Sequence, residues 1–393
     1  MARDLIIGLG LFVFVCSCVV YFGWGGATYA QESAAPVLPV WKKPPPPLLL
    51  FDKRLDTELG SSASVHVDNL TSIEKRVFQF AVPSKVTLAW PDRTVPFTFQ
   101  VYGVSTLCPK CTVVPVTSAA KNIDAYLQAN DRNDQTLPTV CGCGEAQGGT
   151  GRTCFATYGK CTYQNSFKRE DNMWQTYSRL EYSPPDRPTP TVASLVRQLL
   201  RPWKRRPHCT ATATAPLVAL HSNCGGRRGK LLSDLRDVLH SYGHCWKNRD
   251  IQLFEPTQWY YGDSASNRNA VKTDISSCYM VTAALENTVE DDYVTEKLYE
   301  ALVSGSVPLI WGTKNLEYLP HPDAAIRVSD FASPQRLKAY LNALAKNATF
   351  YYERHQKWKE SGRIRTEFAQ LLFRGDNFSP CRICEAVSNT NSG

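Results

Sequence analysis

From residue 212 onward the chain alternates short apolar runs with longer segments whose apolar residues recur every three or four positions, and this alternation limits the fold more than any other feature. "APLVALHSN" (215–223), "CYMVTAALEN" (278–287) and "VPLIWG" (307–312) have strand length, with "IRVSDF" (326–331) a shorter piece. Between them, "KLLSDLRDVLHSYG" (230–243) places Leu231, Leu232, Leu235, Val238 and Leu239 on one helical face. "DYVTEKLYEALVSG" (292–305) spaces Val294, Leu298 and Leu302 four apart, and "SPQRLKAYLNALAKN" (333–347) opens with Ser333 as N-cap and Pro334 in its first turn. Strand followed by helix, repeated, is the unit of a parallel, doubly wound α/β sheet.

The first half is harder to read. Residues 76–210 show strand-like segments, of which the alternating "VPFTFQVYGV" (95–104) is the clearest, then a loop-like stretch "CGCGEAQGGTGRTC" (141–154). Residues 25–75 are rich in Pro, Ser and Ala, include "KKPPPPLLL" (42–50), and are expected to be an extended stem. Ahead of them, residues 5–24 are 20 uncharged, mostly apolar positions, which at ~1.5 Å per residue span a ~30 Å hydrocarbon core. With a tail of residues 1–4 before it, this run is expected to be a transmembrane signal anchor; a signal peptide cleaved after "ATYA" (27–30) is the other reading.

Two of the 14 cysteines, Cys16 and Cys18, lie in the apolar run, which leaves an even number outside it. Sequons at Asn69, Asn347 and Asn377 fit an oxidising lumen, so disulfides are the expected state of the rest. The pairs Cys108/Cys111 and Cys381/Cys384 also have the spacing of a four-cysteine zinc site. A formal charge of +8 and runs such as "RPWKRR" (201–206) come without any nucleic-acid motif, and a solvated loop accounts for them.

Two strand-to-helix turns are furnished to bind an anion. "HSNCGGRRGKLL" (221–232) ends a strand at Asn223, turns on glycines, and brings Arg227, Arg228 and Lys230 to the start of a helix. The second, "LENTVEDDYVTEKLYEALVSGSVPLIWG" (285–312), places Glu286 and Asn287 at a strand end and Tyr293, Thr295, Glu296 and Lys297 at the entrance to a helix. A lysine there opposes the helix dipole unless an anion offsets it. A carboxylate beside that lysine suits a vicinal diol, a tyrosine packs on a base or sugar, and a nucleotide-sugar would use all these groups at once.

That second segment closely resembles the signature of the α1,3/4-fucosyltransferase family (glycosyltransferase family 10). The likeness extends upstream through 222–250 and downstream to "CRIC" (381–384). Cys224, Cys245, "EDDYVTEK" and "SGSVP" look most like the plant-type subgroup that modifies the core of N-glycans. The resemblance implies a GT-B-type α/β fold of two Rossmann-like domains, with residues 76–210 on the acceptor side and 211–393 binding GDP-fucose. It also implies inversion at the fucose carbon, no obligatory metal with Mn2+ or Mg2+ at most stimulatory, and a glycoprotein N-glycan acceptor. A Golgi membrane protein of single-pass type II topology is the implied setting.

By the same likeness Asn223, Arg227, Arg228, Lys230, Glu286, Asn287, Tyr293, Glu296 and Lys297 are the donor contacts, with Glu296 on the ribose and Lys297 on the diphosphate. Lys230 stands where the family has a diphosphate-binding arginine, and Leu285 where it has a phenylalanine. The resemblance places the general base at a Glu-Ser a little ahead of a segment that looks like "MWQTYSRLEYSPPD" (173–186), but Glu32-Ser33 lies in the expected stem and Glu360-Ser361 lies past the donor signature. Glu145, in the stretch "CGCGEAQGG" (141–149), is the candidate base, with Glu170, Asp171 and Glu181 as rivals. The alternatives are transfer to antennal or other surface glycans, and an inactive relative that binds a nucleotide-sugar or a glycan without turnover.

Overall fold

The computed structural model of the chain describes residues 50–82, 84–90, 108–115, 123–127, 137–143, 161, 163–166, 169, 176–177, 191–204, 209, 214–250, 265–313, 315–375 and 379–390. The apolar run 5–24, the expected strand 95–104, Asn377 and all four candidate bases lie outside them. Among the described residues no helix is long and apolar enough to cross a membrane.

Residues 50–75, expected to belong to an extended stem, instead fold into the body of the protein. Helix α1 (Leu50–Leu59) buries Phe51, Leu55 and Leu59, four apart, and α2 (Val67–Val77) buries Val67, Leu70, Ile73 and Val77. Between them β1 (Ser64–His66) pairs antiparallel with β12 (Arg363–Arg365). The proline-rich composition that suggested a stem stops short of this helical periodicity. Composition averages over the boundary; the apolar spacing does not.

The first sheet runs β3-β2-β4-β5-β6, all parallel: β2 (Val86–Trp90), β3 (Cys111–Pro115), β4 (Ala125–Leu127), β5 (Thr139–Cys143) and β6 (Tyr163–Ser166). Helix α3 (Val192–Leu199) follows, its N-terminus closed by a reciprocal Thr191–Ser194 capping box. The second sheet runs β11-β10-β9-β7-β8, also all parallel. Its strands are β7 (Leu217–Ala219), β8 (Leu239–Ser241), β9 (Val281–Leu285), β10 (Val307–Trp311) and β11 (Ile326–Arg327). Helices α4 (Gly226–Asp234), α5 (Ala265–Ser277), α6 (Glu296–Ser304), α7 (Pro334–Lys346), α8 (Ala348–His355) and α9 (Thr366–Phe373) accompany it. Both sheets thus have the doubly wound order 2-1-3-4-5, and every residue of β9 is buried, as a strand covered on both faces requires.

Two expectations need correction. The segment 230–243 is not one helix: α4 ends at Asp234, and Leu239–Ser241 leaves it as β8, buried throughout. Leu232 and Leu235 face the same core as Leu239, so a helical reading of the apolar spacing extended past the true stop. The end of the chain does not stay with the second sheet either. Helix α10 (Ser379–Thr390) packs Cys381, Ile383, Cys384 and Val387 against Val86, Leu88 and Val140 of the first sheet. Disulfides Cys108–Cys381 and Cys111–Cys384 fasten it there, which removes the zinc-site reading of the two CxxC pairs. Among the described residues, no three metal-ligating side chains gather as a site.

A buried charge cluster holds the same junction. Asp52 on α1 meets Arg374 at 3.1 Å and Arg382 of α10 at 3.6 Å, while Glu385 takes a two-pronged bond from Arg54. Helices α1, α2, α3, α6 and α9 share one apolar core, so the helix that carries the signature residues is held from both halves of the sequence.

Candidate functional site

In the order β8-β7-β9 the chain reverses direction of growth between β7 and β9, and at such a switch point the loops leaving two neighbouring strands part to open a crevice. A cavity of about 260 Å3 lies there. Its wall is formed by the end of β7 (Leu220, His221, Ser222, Asn223), Arg228 of α4, Lys272 of α5, Asn287 beyond β9, and Glu296, Lys297 and Glu300 of α6.

Arg228 is almost fully buried, and its guanidinium spans the two strand ends. Nε and Nη2 donate to the Asn223 carbonyl at 3.1 and 2.5 Å, and Nη1 donates to the Leu285 carbonyl at 3.3 Å. Backbone dipoles rather than a carboxylate hold it, so its charge is available to the cavity, and burial lowers its pKa from the ordinary arginine value. His221 donates through Nε2 to the same Leu285 carbonyl, 3.1 Å away, which leaves Nδ1 buried with no hydrogen bond. Burial, then Arg228 and Lys297, push its pKa down to about 3, so the imidazole, one of the residues lining the cavity, is neutral and Nδ1 is an acceptor.

The lysine at the start of α6 finds its anions within the protein. Lys297 Nζ stands 3.2 Å from Glu286 Oε2 and 3.1 Å from Glu296 Oε1, and donates to Thr295 Oγ1 at 2.6 Å. Thr295 occupies the N-cap position without capping; its amide and hydroxyl donate to Glu286 Oε1 at 2.8 and 2.9 Å. Burial raises the pKa of Glu286 despite these bonds. For Glu296 burial acts the same way, yet Lys297 and Lys272 win and hold its carboxyl below the ordinary range; burial is likewise outweighed at Lys297, whose pKa the two carboxylates raise. One cation is thus shared by two acids, one of them beneath the cavity floor.

Gly312 makes room for this arrangement. Its φ is +133°, and a Cβ there would lie 2.7 Å from Glu286 Cβ, so the end of β10 can pass over Glu286 only as glycine. Deeper in the cavity, Glu300 is 5% exposed, and burial, only partly countered by Lys272 at 3.5 Å, pushes its pKa up to about 7.

The acid-rich loop ahead of α6 has a separate job. Asp292, at φ +65°, accepts from Arg169 Nε at 3.2 Å and from Asn315, and Arg169 also pairs with Glu317 at 2.5 Å and lies over the Tyr318 ring. Arg169 follows β6, so the first sheet grips the signature loop of the second. Tyr293 is buried edge-on against Tyr177, ring centroids 6.5 Å apart.

The cavity therefore gathers five of the nine residues expected to bind a donor: Asn223, Arg228, Asn287, Glu296 and Lys297. Glu286 lies beneath them, bonded to Thr295 and Lys297, and Tyr293 packs inside the protein. Arg227 and Lys230 are outside the cavity; Lys230 is exposed and paired with Asp234 at 3.6 Å. Helix α4 turns its second arginine inward and its lysine outward, an orientation that a list of neighbouring cations does not contain. His221, Lys272 and Glu300 were not singled out. Signals existed for two: a histidine ends an otherwise aliphatic strand, and Glu300 interrupts the apolar run "LYEALV" (298–303).

The remaining disulfide candidates, Cys224 and Cys245, are bonded and tie the glycine turn to the loop after β8; Cys209–Cys278 is a further bond. Of the sequons, Asn69 is exposed on α2, and Asn347 is exposed while its Oδ1 accepts from the Phe350 amide at 2.9 Å.

Residues 211–393 match the family model described as glycosyltransferase family 10 (fucosyltransferase) C-term. An α-(1,4)-fucosyltransferase of Arabidopsis thaliana is 33% identical over 175 residues, 42% of this chain and 43% of that protein. GDP-fucose protein O-fucosyltransferase 3 of Homo sapiens is 32% identical over 161 residues, 38% of this chain and 31% of that protein. The chain thus spans less than half the length of these curated relatives. A crystal structure of an alpha1,3-fucosyltransferase with GDP-fucose aligns over 69% of this chain and 81% of its own, at 17% identity and a TM-score of 0.44. Residues 211–393, the part that builds the switch-point cavity, are thus similar to the C-terminal domain of glycosyltransferase family 10, the fucosyltransferases.

Proposed function

We propose that this chain is an inverting fucosyltransferase that moves L-fucose from GDP-fucose to a GlcNAc hydroxyl of a glycoprotein N-glycan, at position 3 of the core GlcNAc as the plant-type likeness implies. The observation that carries the reading is the convergence of Arg228 and Lys297 on one cavity with Glu296 beside them. Two cations suit a diphosphate, and a carboxylate held ionised suits a ribose diol.

In this reading the acceptor oxygen attacks C1 of fucose, the bond from C1 to the β-phosphate oxygen breaks, and the acceptor proton passes to a carboxylate of the N-terminal half, Glu145 being the candidate. The departing GDP gains negative charge, and Arg228 and Lys297 stabilise it with preorganised side chains. A divalent ion is then a stimulant rather than a requirement. The two-domain GT-B arrangement belongs to the same proposal, as does a Golgi membrane setting with a lumenal catalytic part. Disulfides such as Cys108–Cys381, Cys111–Cys384, Cys209–Cys278 and Cys224–Cys245, with the exposed sequons Asn69 and Asn347, support the lumenal placement.

The test is transfer of labelled fucose from GDP-fucose to a panel of N-glycans and, since several relatives are named protein O-fucosyltransferase 3, to folded protein domains presenting Ser and Thr hydroxyls. Core-labelled N-glycan with equimolar GDP release is expected. Transfer to a protein hydroxyl instead would reassign the acceptor. GDP-fucose binding with no transfer to any acceptor would replace the enzyme by an inactive nucleotide-sugar binder.

A further inference from the structure

Lys272 and Glu300 line the same cavity as Arg228 and Lys297, yet a diphosphate and a ribose leave both without a role. Glu300 stands one turn beyond Glu296 on α6, about 6 Å along the axis, the scale of the step from a ribose to the base it carries. Its side chain is buried, and no hydrogen bond reaches Oε1; Lys272 Nζ, at 3.5 Å, supplies charge at the outer limit of bonding distance. Thr282, also in the cavity wall, gives its hydroxyl proton to Ser306 and so does not serve Glu300. A buried carboxylate oxygen with no donor, lining a cavity, marks the place of a donor brought by a ligand.

We propose that Glu300 and Lys272 read the nucleotide's base as guanine, Glu300 accepting from N1–H and the exocyclic N2 amine while Lys272 donates to O6. This rests on the GDP-fucose reading and adds to it the residues that choose the nucleotide. The Watson–Crick edge of guanine presents acceptor, donor, donor, which an ammonium beside a carboxylate complements group for group. Adenine presents a donor where Lys272 needs an acceptor, and uracil an acceptor where Glu300 needs a donor. Without a base, Lys272 at 3.5 Å partly offsets the charge of Glu300. A site built around such paired groups rejects an analogue that lacks one of them more strongly than an apolar pocket rejects a change in size.

The test uses the purified chain and calorimetric binding of GDP, of IDP, which lacks the N2 amine, and of ADP. Wild type is expected to prefer GDP over IDP by roughly tenfold, the worth of one charge-assisted hydrogen bond, and over ADP by more. Glu300→Gln, an isosteric change, should bring the GDP to IDP ratio close to one. Lys272→Met should weaken GDP and IDP alike and reduce the preference over ADP. A GDP to IDP ratio unchanged in Glu300→Gln overturns the assignment, as does a wild type that binds GDP without preferring it to IDP and ADP; in both cases the donor site itself stands. Should Glu300→Gln fail to fold, an unchanged preference for GDP over ADP in Lys272→Met overturns it. A wild type that binds none of the three defeats the GDP-fucose reading, and the base assignment with it.

Discussion

Replacing Lys297 by methionine removes a cation while keeping the length and apolar stem of the side chain, and the geometry around it allows the effect to be estimated. In the native site Lys297 sits between Glu286 and Glu296, so the three side chains carry a net charge near −1 when both acids are ionised. Without the lysine the net charge is −2, and an arriving diphosphate meets two uncompensated carboxylates. The lost charge-assisted bond is worth about 1.5–3 kcal/mol. Taken as pure electrostatics, the same lost unit of charge at ~6 Å with an effective dielectric near 20 amounts to about 2–3 kcal/mol, which agrees with that figure. Protonation of Glu286, already favoured by its burial, offsets part of that loss. The expected outcome is a loss of roughly 10²-fold in kcat/KM for fucose transfer, with Lys297→Arg retaining a measurable fraction. Thermal melts run alongside separate a lost contact from a lost fold. If folded Lys297→Met transfers fucose within threefold of wild type, the cavity is not where the diphosphate binds.

Two further predictions concern the frame that holds the site. Lys359 is buried, donates to the carbonyls of Arg201 and Gly305, and has its pKa pushed down to about 7 by burial. A lysine whose folded pKa is depressed opposes folding below that pKa, and the penalty fades as pH rises towards the unfolded value near 10.5; stability should climb by about 2 kcal/mol between pH 7 and 9. Lys359→Met should flatten that slope in denaturant titrations, and a slope equal to wild type would show that another group is responsible. At the junction of α1, α9 and α10, Asp52→Asn deprives the buried Arg374 and Arg382 of a shared carboxylate, which should lower stability by about 3–5 kcal/mol. A change under 1 kcal/mol would mean that Glu385 and backbone carbonyls already satisfy both guanidiniums.

How much of this was legible beforehand follows the range of the forces involved. The spacing of apolar residues is local, so it identified β7, β9, β10, α6 and α7, and the Ser333 cap accepts from the Arg336 amide as expected. It could not reveal that β9 lies beside β7 rather than β8, because strand pairing is decided by contacts distant in sequence. The switch point, and hence the depth of the cavity, was invisible for that reason. The return of α10 to the first sheet depends on two bonds that each join cysteines 273 positions apart, and the sequence contains many other pairings. Among the site residues, Glu296 and Lys297 were found because a lysine at a helix start is an electrostatic anomaly that needs a reason. The structure supplies a nearer reason than a ligand, in Glu286 and Glu296. That answer sharpens the functional argument, since a lysine already balanced by two acids gives an anion only the share of its charge that those acids leave. Arg228, whose guanidinium donates to the Asn223 and Leu285 carbonyls, is then the stronger anchor for the proposed diphosphate, and its loss should weaken donor binding more than the loss of Lys297.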